Sequence, residues 1–481
     1  MNRMAESVAD PRRAQRLAYG YACAAGMLTA IFLLRIPIQL SDSFSEFLAM
    51  QGRSLYRVVR DEFSGGPYLR PLRRGLIKIL FDLSGGHYYA WFRGFHALEL
   101  IVLFVLVVRM FRVRSLADAA AVPLLLAMIV GLHTFNDVVR EAFPINHFLT
   151  IAICCVAAVN LSQSPGGLLV DLSAVALLAF AMLTIESGLL VWVVFVAAYI
   201  GGYRGISRRA LIALTATLGF YFVLRFVVLG GTVPAINERD TGFGLAAANP
   251  DELTRLFGGR LWPFYAYNVV SAMSCVLFAE PRSGTWIFVR GALNHDLQPW
   301  QILGVLTSTL TTLLIARYIA KRFRRFRRLD LDHDDRLVLL FVALLPANAA
   351  FAAVYAKDVI LSPAGIFYAV AAAVVLRHLL FEEIAARHTA IRAAAFAVAL
   401  VIAFGWTIRA VGIHYRLREV AAIDRDDWAY YDRWERQQGD QVTTPADKQL
   451  WQTLYDDAIW KRSQPPMIDS RVANAWSDPL E

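Results

Sequence analysis

Acidic side chains lie directly beside long apolar runs of the sequence, where a carboxylate could take part in proton transfer. Asp42 and Glu46 follow the first apolar run and are one helical turn apart. A carboxylate within hydrogen-bonding distance of a hydroxyl group can act as the general base that removes its proton. Because Ser41-Asp42-Ser43 also reads as the start of a helix, Asp42 could instead serve only as an N-terminal cap. Asp42 is our candidate catalytic base, and Glu46 a second contact to an acceptor or a metal.

Basic residues at comparable positions could stabilise a negatively charged leaving group. Arg70 precedes Pro71 and should therefore lie on a bend, whereas Arg225 lies near the end of a later apolar run. Arginines bind phosphate through paired hydrogen bonds, and such contacts stabilise charge that develops during a reaction. Each arginine could also make an ordinary contact with lipid headgroups. Arg70 could instead pair with Asp61 or Glu62. The candidate substrate- and phosphate-binding set is Glu46, Arg70, Asp137, Glu141, Glu186, Arg225 and Lys357.

Three acidic members of this set allow more than one interpretation. Asp137 and Glu141 are four residues apart, so they would share one face of a helix. They could bind substrate or a divalent cation such as Mg²⁺ or Mn²⁺, or simply pair with Arg140. Glu186 lies at a tight turn between two apolar runs, where it could bind substrate or cap a helix end. The sequence does not identify a metal ion for this site.

The composition predicts an all-α polytopic membrane protein. Of 481 residues, 57% are apolar and 18% are charged, and the mean hydropathy is +0.47. Soluble proteins have roughly 45–50% apolar and about 25% charged residues. A chain with this much apolar surface cannot bury it in water, which excludes a soluble domain, a disordered chain and a disulfide scaffold.

Apolar runs long enough to cross a bilayer recur along the chain and predict about eleven transmembrane helices. The short fifth and sixth runs should form a helical hairpin about Glu186. Residues 259–279 are also long enough to cross, but we interpret them as an interfacial or re-entrant helix. The predicted spans are 17–38, 92–110, 116–132, 143–161, 168–185, 188–202, 210–230, 301–320, 337–356, 362–381 and 391–411.

The distribution of positive charge predicts the orientation in the plasma (inner) membrane. Arginines precede the first span, and a run of them at 321–328 follows the eighth, so both segments should be cytoplasmic. The C-terminus then lies outside the cell. The predicted organisation is a transmembrane domain over 1–411, with outer segments 39–91 and 231–300, and a small extracytoplasmic cap over 412–481.

Two further groups are interpreted structurally. The acidic run at 330–335 begins like a calcium loop but lacks its glycine and final glutamate, so we expect it to neutralise the preceding arginines and cap the next helix. The four cysteines lie in apolar stretches without metal-ligand spacing, which predicts small core residues. They are Cys23, Cys154, Cys155 and Cys275.

A cavity at the outer membrane surface with carboxylates, arginines and apolar walls suits sugar transfer from a polyprenyl-phosphate carrier. The carrier's tail would remain in lipid, and the acceptor would be a hydroxyl group of a lipid, glycan or protein. Such a donor needs no Gly-rich nucleotide loop. The net charge of +9 does not indicate nucleic acid, because the arginines cluster beside apolar runs, where they meet membrane lipids.

Several segments, in order along residues 20–380, resemble motifs of one enzyme family. Examples are Ser-Asp-Ser-Phe after the first span and Tyr-Leu-Arg-Pro-Leu in the first loop. Together they resemble the GT-C membrane glycosyltransferases of the protein O-mannosyltransferase type. The similar segments are 41–44, 68–72, 95–99, 133–139, 184–186, 221–225 and 355–365.

This resemblance implies surface helices in the first outer loop, a polyprenyl-phosphate-linked sugar donor and inversion at the anomeric carbon. The sequence departs from the family where Ser43 replaces a second acid and where Ile185 replaces a lysine. The resemblance therefore does not fix the metal or the sugar. Two other functions remain open: a transporter or flippase of a lipid-linked saccharide, and a non-catalytic membrane assembly subunit.

Overall fold

All regular elements of the described residues are helical in the computed structural model of the chain. The described residues are 11–36, 41–64, 68–140, 144–231, 260–279, 287–354, 358–380, 389–426 and 442–463, with a few positions between 251 and 258. These ranges contain no strand. The all-α fold class predicted from composition is confirmed.

The chain runs through nineteen described α-helices, joined by shorter 3₁₀ and π turns. The first ten are α1 Pro11–Leu33, α2 Ser41–Met50, α3 Leu55–Asp61, α4 Pro71–Ser84, α5 Tyr88–Phe111, α6 Leu116–Val130, α7 His133–Arg140, α8 His147–Ser162, α9 Leu168–Thr184 and α10 Leu190–Ile200. The others are α11 Arg208–Phe222, α12 Trp262–Phe278, α13 Ile287–Leu293, α14 Pro299–Lys321, α15 Phe323–Arg328, α16 His333–Phe351, α17 Ser362–His378, α18 Thr389–Asp426 and α19 Pro445–Ser463.

Six helical segments are long and apolar enough to span a membrane. Large apolar side chains on the helix surfaces remain exposed, among them Ile212, Phe220 and Phe404. A large apolar surface of this kind is unfavourable in water. These are the features of a helical membrane protein. The count of eleven spans and the orientation of the termini stay predictions. The six segments are Pro11–Leu33, Tyr88–Phe111, Arg208–Val228, Pro299–Lys321, Asp358–His378 and Phe396–Tyr415.

Helix α17 lies at the centre of the bundle. It is buried along its length up to Leu376 and contacts α6, α8, α14 and α16. Its middle is rich in alanine, and small side chains let neighbouring helices approach closely. Gly365 shows how tight this packing is, because a Cβ atom there would lie 2.7 Å from Oγ1 of Thr134 in α7.

The acidic run at 330–335 caps a helix and neutralises arginines, as predicted. The Asp332 side chain caps α16, and Asp335 completes a capping box with it. Arg322 Nη1 lies 2.8 Å from Asp332 Oδ2 and 3.0 Å from Asp335 Oδ1. Arg325 adds a second contact to each carboxylate. This cluster joins the end of α14 to the start of α16.

Helix α12 is the longest helix that lies wholly within the described part of the second predicted outer segment. Asn268 Nδ2 donates to the Ala353 carbonyl at the end of α16, and Thr312 Oγ1 donates to the Leu277 carbonyl. The C-terminal end of α12 therefore reaches the middle of α14 rather than its far end. The re-entrant interpretation of 259–279 stays a prediction. Residues 232–250 lie outside the described residues.

The C-terminal region packs against the first-loop helices. Helix α18 continues through residue 411 as far as Asp426, so no helix boundary marks the start of the predicted cap. Leu450 and Leu454 of α19 are buried in the same apolar cluster as Phe44 and Phe47 of α2. Helix α19 thus shares one end of the molecule with α2.

Candidate functional site

The first-loop helices form a small apolar unit that positions charged residues. Phe47 of α2 is fully buried, and its ring packs against Phe81, Tyr88 and Phe92 with centroids 5.7, 5.2 and 5.0 Å apart. Aromatic pairs of this kind stabilise by about 0.5–1.5 kcal/mol each. Because Phe47 fixes the rotation of α2, the adjacent Glu46 is held against α4.

Arg70 and Glu186 form the central ion pair of the site. Arg70 Nε and Nη2 both donate to Oε2 of Glu186, at 3.1 and 2.7 Å. Arg70 precedes α4 as its N-cap residue and Pro71 begins the helix, which is the bend predicted from the sequence. Glu186 begins the 3₁₀ turn Glu186–Leu189 between α9 and α10. Two elements far apart in sequence therefore meet at one carboxylate.

Arg225 approaches Glu186 from a third element. Its Nη1 lies 3.5 Å from Glu186 Oε1 and donates to the Tyr221 hydroxyl at 3.1 Å. The turn Val223–Val228 that carries Arg225 is π-helical and continues α11. Glu186 thus lies between two arginines.

A second set of pairs extends this cluster to Glu46. Glu46 Oε1 lies 3.2 Å from Arg73 Nη2, and Arg74 also pairs with Glu46. Arg74 Nε lies 3.2 Å from Glu62 Oε1, and the Arg70 main-chain N–H donates to Glu62 Oε2 at 3.2 Å. The contacts therefore run without a break from Glu46 to Glu186.

Arg73 is the member whose charge is most affected by its surroundings. Burial lowers the pKa of its guanidinium, and the charges of Arg70 and Arg74 lower it further, while Glu46 opposes the shift. A guanidinium with too little solvent and positive neighbours gains from an additional anion.

We call this set the arginine–glutamate network. It has four arginines and three glutamates, so it carries one net positive charge. Side chains of Arg70 and Glu186 are 18% and 20% exposed, so the network is partly buried yet accessible. Such a network can bind an anionic headgroup. Its members are Glu46, Glu62, Arg70, Arg73, Arg74, Glu186 and Arg225.

Four of the predicted site residues come together in this network: Glu46, Arg70, Glu186 and Arg225. The other predicted site residues make no described contact with the network. Asp42 lies in the first turn of α2 and Asp137 in α7, but their side chains lie outside the described residues. Glu141 and Lys357 also lie outside the described residues.

The sequence analysis missed Arg73 and Arg74, and it named Glu62 only as an alternative partner of Arg70. A signal for the two arginines existed, because they follow Arg70 by three and four residues. A helix that begins at Pro71 brings such residues to the face below its first turn. Glu62 does contact Arg70, through the Arg70 main-chain N–H.

A second polar cluster forms where α7, α12 and the 3₁₀ turn Asp358–Leu361 converge. His133 Nε2 lies 2.8 Å from Cys275 Sγ, and the Cys275 thiol donates to Asp358 Oδ1 at 3.3 Å. Among the described residues, this is the one group of three potential metal ligands whose atoms lie within 4.8 Å of one another. Cys275 is buried in the core as predicted, but it also has two polar contacts.

The surroundings of His133 favour its neutral form. Burial lowers the pKa of His133 to about 4; the charge of Asp358 opposes this shift, and that of Arg409 adds to it. Arg409 lies in the segment Phe396–Tyr415 and donates through Nη1 to Thr307 and Ser308, both at 2.8 Å. The sequence analysis missed Arg409, although an arginine within an apolar span is itself a signal of function.

Comparisons with known proteins give no identity for this arrangement. The chain matches no protein-family model, no curated protein and no solved structure.

Proposed function

We propose that the chain is a membrane glycosyltransferase that moves a sugar from a polyprenyl-phosphate carrier to an acceptor hydroxyl group. The observation that carries this proposal is the arginine–glutamate network, which concentrates arginines beside apolar helices. A lipid-linked phosphate presents the same combination of an anionic headgroup and an apolar tail. The reaction would take place on the extracytoplasmic face.

The proposed reaction needs a base, an acceptor and a stabilised leaving group. The carboxylate of Asp42 removes the proton of the acceptor hydroxyl, whose oxygen then attacks the anomeric carbon of the sugar. The bond between that carbon and the phosphate oxygen breaks, and polyprenyl phosphate leaves with the bonding electron pair. Attack opposite to the leaving group inverts the anomeric carbon.

Arg70 and Arg225 are the residues proposed to stabilise the leaving phosphate. Both already hold an anion, the Glu186 carboxylate, at hydrogen-bonding or ion-pairing distance. Preorganised donors of this kind stabilise developing charge without rearranging during the reaction. Glu186 keeps the two guanidinium groups oriented, and Lys357, Asp137 and Glu141 remain further candidates for contacts with donor or acceptor.

A genetic experiment tests the proposal before the sugar is known. Envelope glycans and glycoproteins of a deletion strain are compared by mass spectrometry with those of its parent and of complemented strains. We expect the deletion to lose a glycosylated product, and wild-type protein and Asp61→Asn to restore it, whereas Asp42→Asn should not. Asp61 is a suitable control because it is a half-exposed first-loop carboxylate that pairs with Arg53 and Arg60.

A biochemical assay separates transfer from transport. Purified protein in detergent is incubated with the lipid extract of the deletion strain as the donor source and with its envelope proteins and glycans as acceptors, and release of polyprenyl phosphate is measured. A detergent micelle does not separate two compartments, so a flippase would release no polyprenyl phosphate. A non-catalytic subunit would release none either. Absence of release with the wild-type protein would reject the transferase, and full release by Asp42→Asn would reject Asp42 as the base.

A further inference from the structure

The cluster of His133, Cys275 and Asp358 shares no member with the arginine–glutamate network. We propose that these three side chains form a Zn²⁺ site with one coordination position left open. The proposal is independent of glycosyl transfer, because it rests on the donor atoms alone.

The distances between donor atoms suit a metal ion. The His133 Nε2 to Cys275 Sγ distance is 2.8 Å, and the Cys275 Sγ to Asp358 Oδ1 distance is 3.3 Å. Tetrahedral Zn²⁺ has bonds of about 2.0–2.3 Å, which separates its ligand atoms by about 3.5 Å. All three donor atoms lie within 4.8 Å of one another, so small side-chain rotations would bring them onto one ion.

The donor types select the metal. Thiolate, imidazole and carboxylate are the three side-chain ligands of Zn²⁺, whereas Mg²⁺, Ca²⁺ and Mn²⁺ prefer sets made of oxygen. A single sulfur and a single nitrogen among three donors therefore favour Zn²⁺ over the Mg²⁺ or Mn²⁺ considered from the sequence. Three protein ligands leave the fourth position for water or a substrate atom, as in catalytic zinc sites.

A nucleophilic Cys–His pair is the main alternative for these residues. In such a pair a third group hydrogen-bonds the imidazole and orients it towards the nucleophile. Here the carboxylate of Asp358 accepts a hydrogen bond from the Cys275 thiol. The three donor atoms lie within 4.8 Å of one another, and Asp358 contacts the thiol directly, as a further ligand of the same ion would.

Packing holds the three ligands on separate but fixed elements. His133 begins α7, Cys275 lies near the end of α12, and Asp358 begins the turn before α17. Gly365 permits the close contact between α17 and α7, since a side chain there would collide with Thr134, the residue after His133. Helix packing therefore sets the positions of His133 and Cys275, and the 3₁₀ turn that leads into α17 carries Asp358.

Zinc binding should release a proton. In the metal-free protein the Cys275 thiol keeps its proton and donates a hydrogen bond to Asp358 Oδ1, whereas the zinc ligand must be the thiolate. One proton therefore leaves for each ion bound, and the affinity should rise with pH. Binding by glutamates at the other cluster would release no thiol proton.

The experiment uses full-length protein in detergent, treated with a chelator and then titrated with Zn²⁺ or Co²⁺. We expect about one equivalent of tightly bound ion, as a single site with this ligand set requires, and no competition from Mg²⁺. Bound Co²⁺ should show the near-ultraviolet charge-transfer absorption of a thiolate ligand. This spectrum tests the wild-type protein directly, so it does not depend on a variant that folds.

Variants then assign the ligands. Cys275→Ser and Asp358→Asn should weaken Zn²⁺ binding at least about 100-fold, since even outer-shell changes cost 10–100-fold. Cys154→Ser is the matched control, because Cys154 is also a buried free cysteine and should keep full binding. Wild-type protein that binds no ion, a Co²⁺ spectrum without thiolate absorption, or equal loss in Cys154→Ser would each overturn the proposal.

Discussion

Arg70 and Glu186 are 116 residues apart in sequence, yet two nitrogens of the Arg70 guanidinium donate to a single oxygen of the Glu186 carboxylate. The pair ties the start of α4 to the turn between α9 and α10. The second carboxylate oxygen faces Arg225 at 3.5 Å. One partly buried carboxylate therefore orients two arginines that come from different elements.

The Arg70–Glu186 pair should contribute to stability beyond the sum of its residues. Glu186→Gln leaves two guanidinium groups without their counterion, and losing a hydrogen bond to a charged group costs about 1–3 kcal/mol of unfolding free energy. A double-mutant cycle with Arg70→Gln should show a coupling of roughly 0.5–3 kcal/mol in denaturant titrations in mixed micelles.

The exposed Arg60–Asp61 pair is the matched control for this cycle. Its side chains are 60% and 46% exposed, and exposed pairs contribute about 0.2–1 kcal/mol or less. Coupling in the Arg70–Glu186 cycle that is no larger than in the Arg60–Asp61 cycle would contradict a central role for this contact.

Variants of Arg225 should show whether its positive charge alone or also the geometry of its guanidinium group stabilises the phosphate. Its Nη1 contacts both Glu186 and the Tyr221 hydroxyl, and a lysine cannot reproduce the fixed fork of donors. In the detergent assay, Arg225→Lys should reduce turnover, and Arg225→Gln should reduce it roughly 100-fold or more. Arg60→Gln should turn over like the wild type, and normal turnover by Arg225→Gln would exclude phosphate stabilisation by this residue.

The sequence predicts which end of a helix a residue occupies better than it predicts the residue's neighbours. Apolar run lengths place Glu186, Arg70 and Arg225 beside predicted membrane surfaces, and Pro71 predicts the bend at Arg70. Hydropathy carries no information about the lateral order of helices in a bundle. The pairing of Arg70 with Glu186 depends on that order and could not be predicted.

Cys275 illustrates the same limit more sharply. Metal-ligand spacing is a local pattern, whereas His133, Cys275 and Asp358 come from three elements spread over more than two hundred residues. Their contact depends on α12 entering between α14 and α16, which a run of apolar residues alone does not specify. By contrast, the capping role of the acidic run at 330–335 is local, and the sequence predicts it.

The Asp332 cluster should lose stability in acid. Burial alone would raise the pKa of Asp332, but hydrogen bonds from the Asp335 main chain and from Arg322 and Arg325 lower it overall. A carboxyl group whose pKa is lower when folded stabilises above its unfolded value, and this contribution is lost as pH falls through the folded value. The charge of Asp332 should therefore stabilise at pH 7 and cease to do so well below pH 4.

Asp332→Asn isolates that charge, because asparagine caps helices about as well as aspartate. The variant should unfold more easily than the wild type at pH 7, by about 1 kcal/mol or less for a pair this exposed. The difference between the two proteins should shrink as the pH falls towards 3. A difference that grows in acid would contradict the proposed ion pairing.

Gly188 should be essential for the turn that presents Glu186. A Cβ atom at Gly188 would lie 2.2 Å from the carbonyl carbon and oxygen of Ala181, and main-chain atoms cannot move aside as a flexible side chain can. Gly188→Ala must therefore push the 3₁₀ turn away from α9, at an overpacking cost of about 1–3 kcal/mol. Glu186 would move with the turn and lose its contact with Arg70.

The matched control for this change is Gly219→Ala in α11, where a Cβ atom meets nothing within 4 Å. Alanine favours helices over glycine by up to about 1 kcal/mol, so this variant should be neutral or slightly stabilised. The two variants also separate stability from site geometry. At a temperature where both remain folded, only Gly188→Ala should lose the Arg70–Glu186 coupling in the double-mutant cycle. Retention of that coupling in Gly188→Ala would show that the turn does not set the position of Glu186.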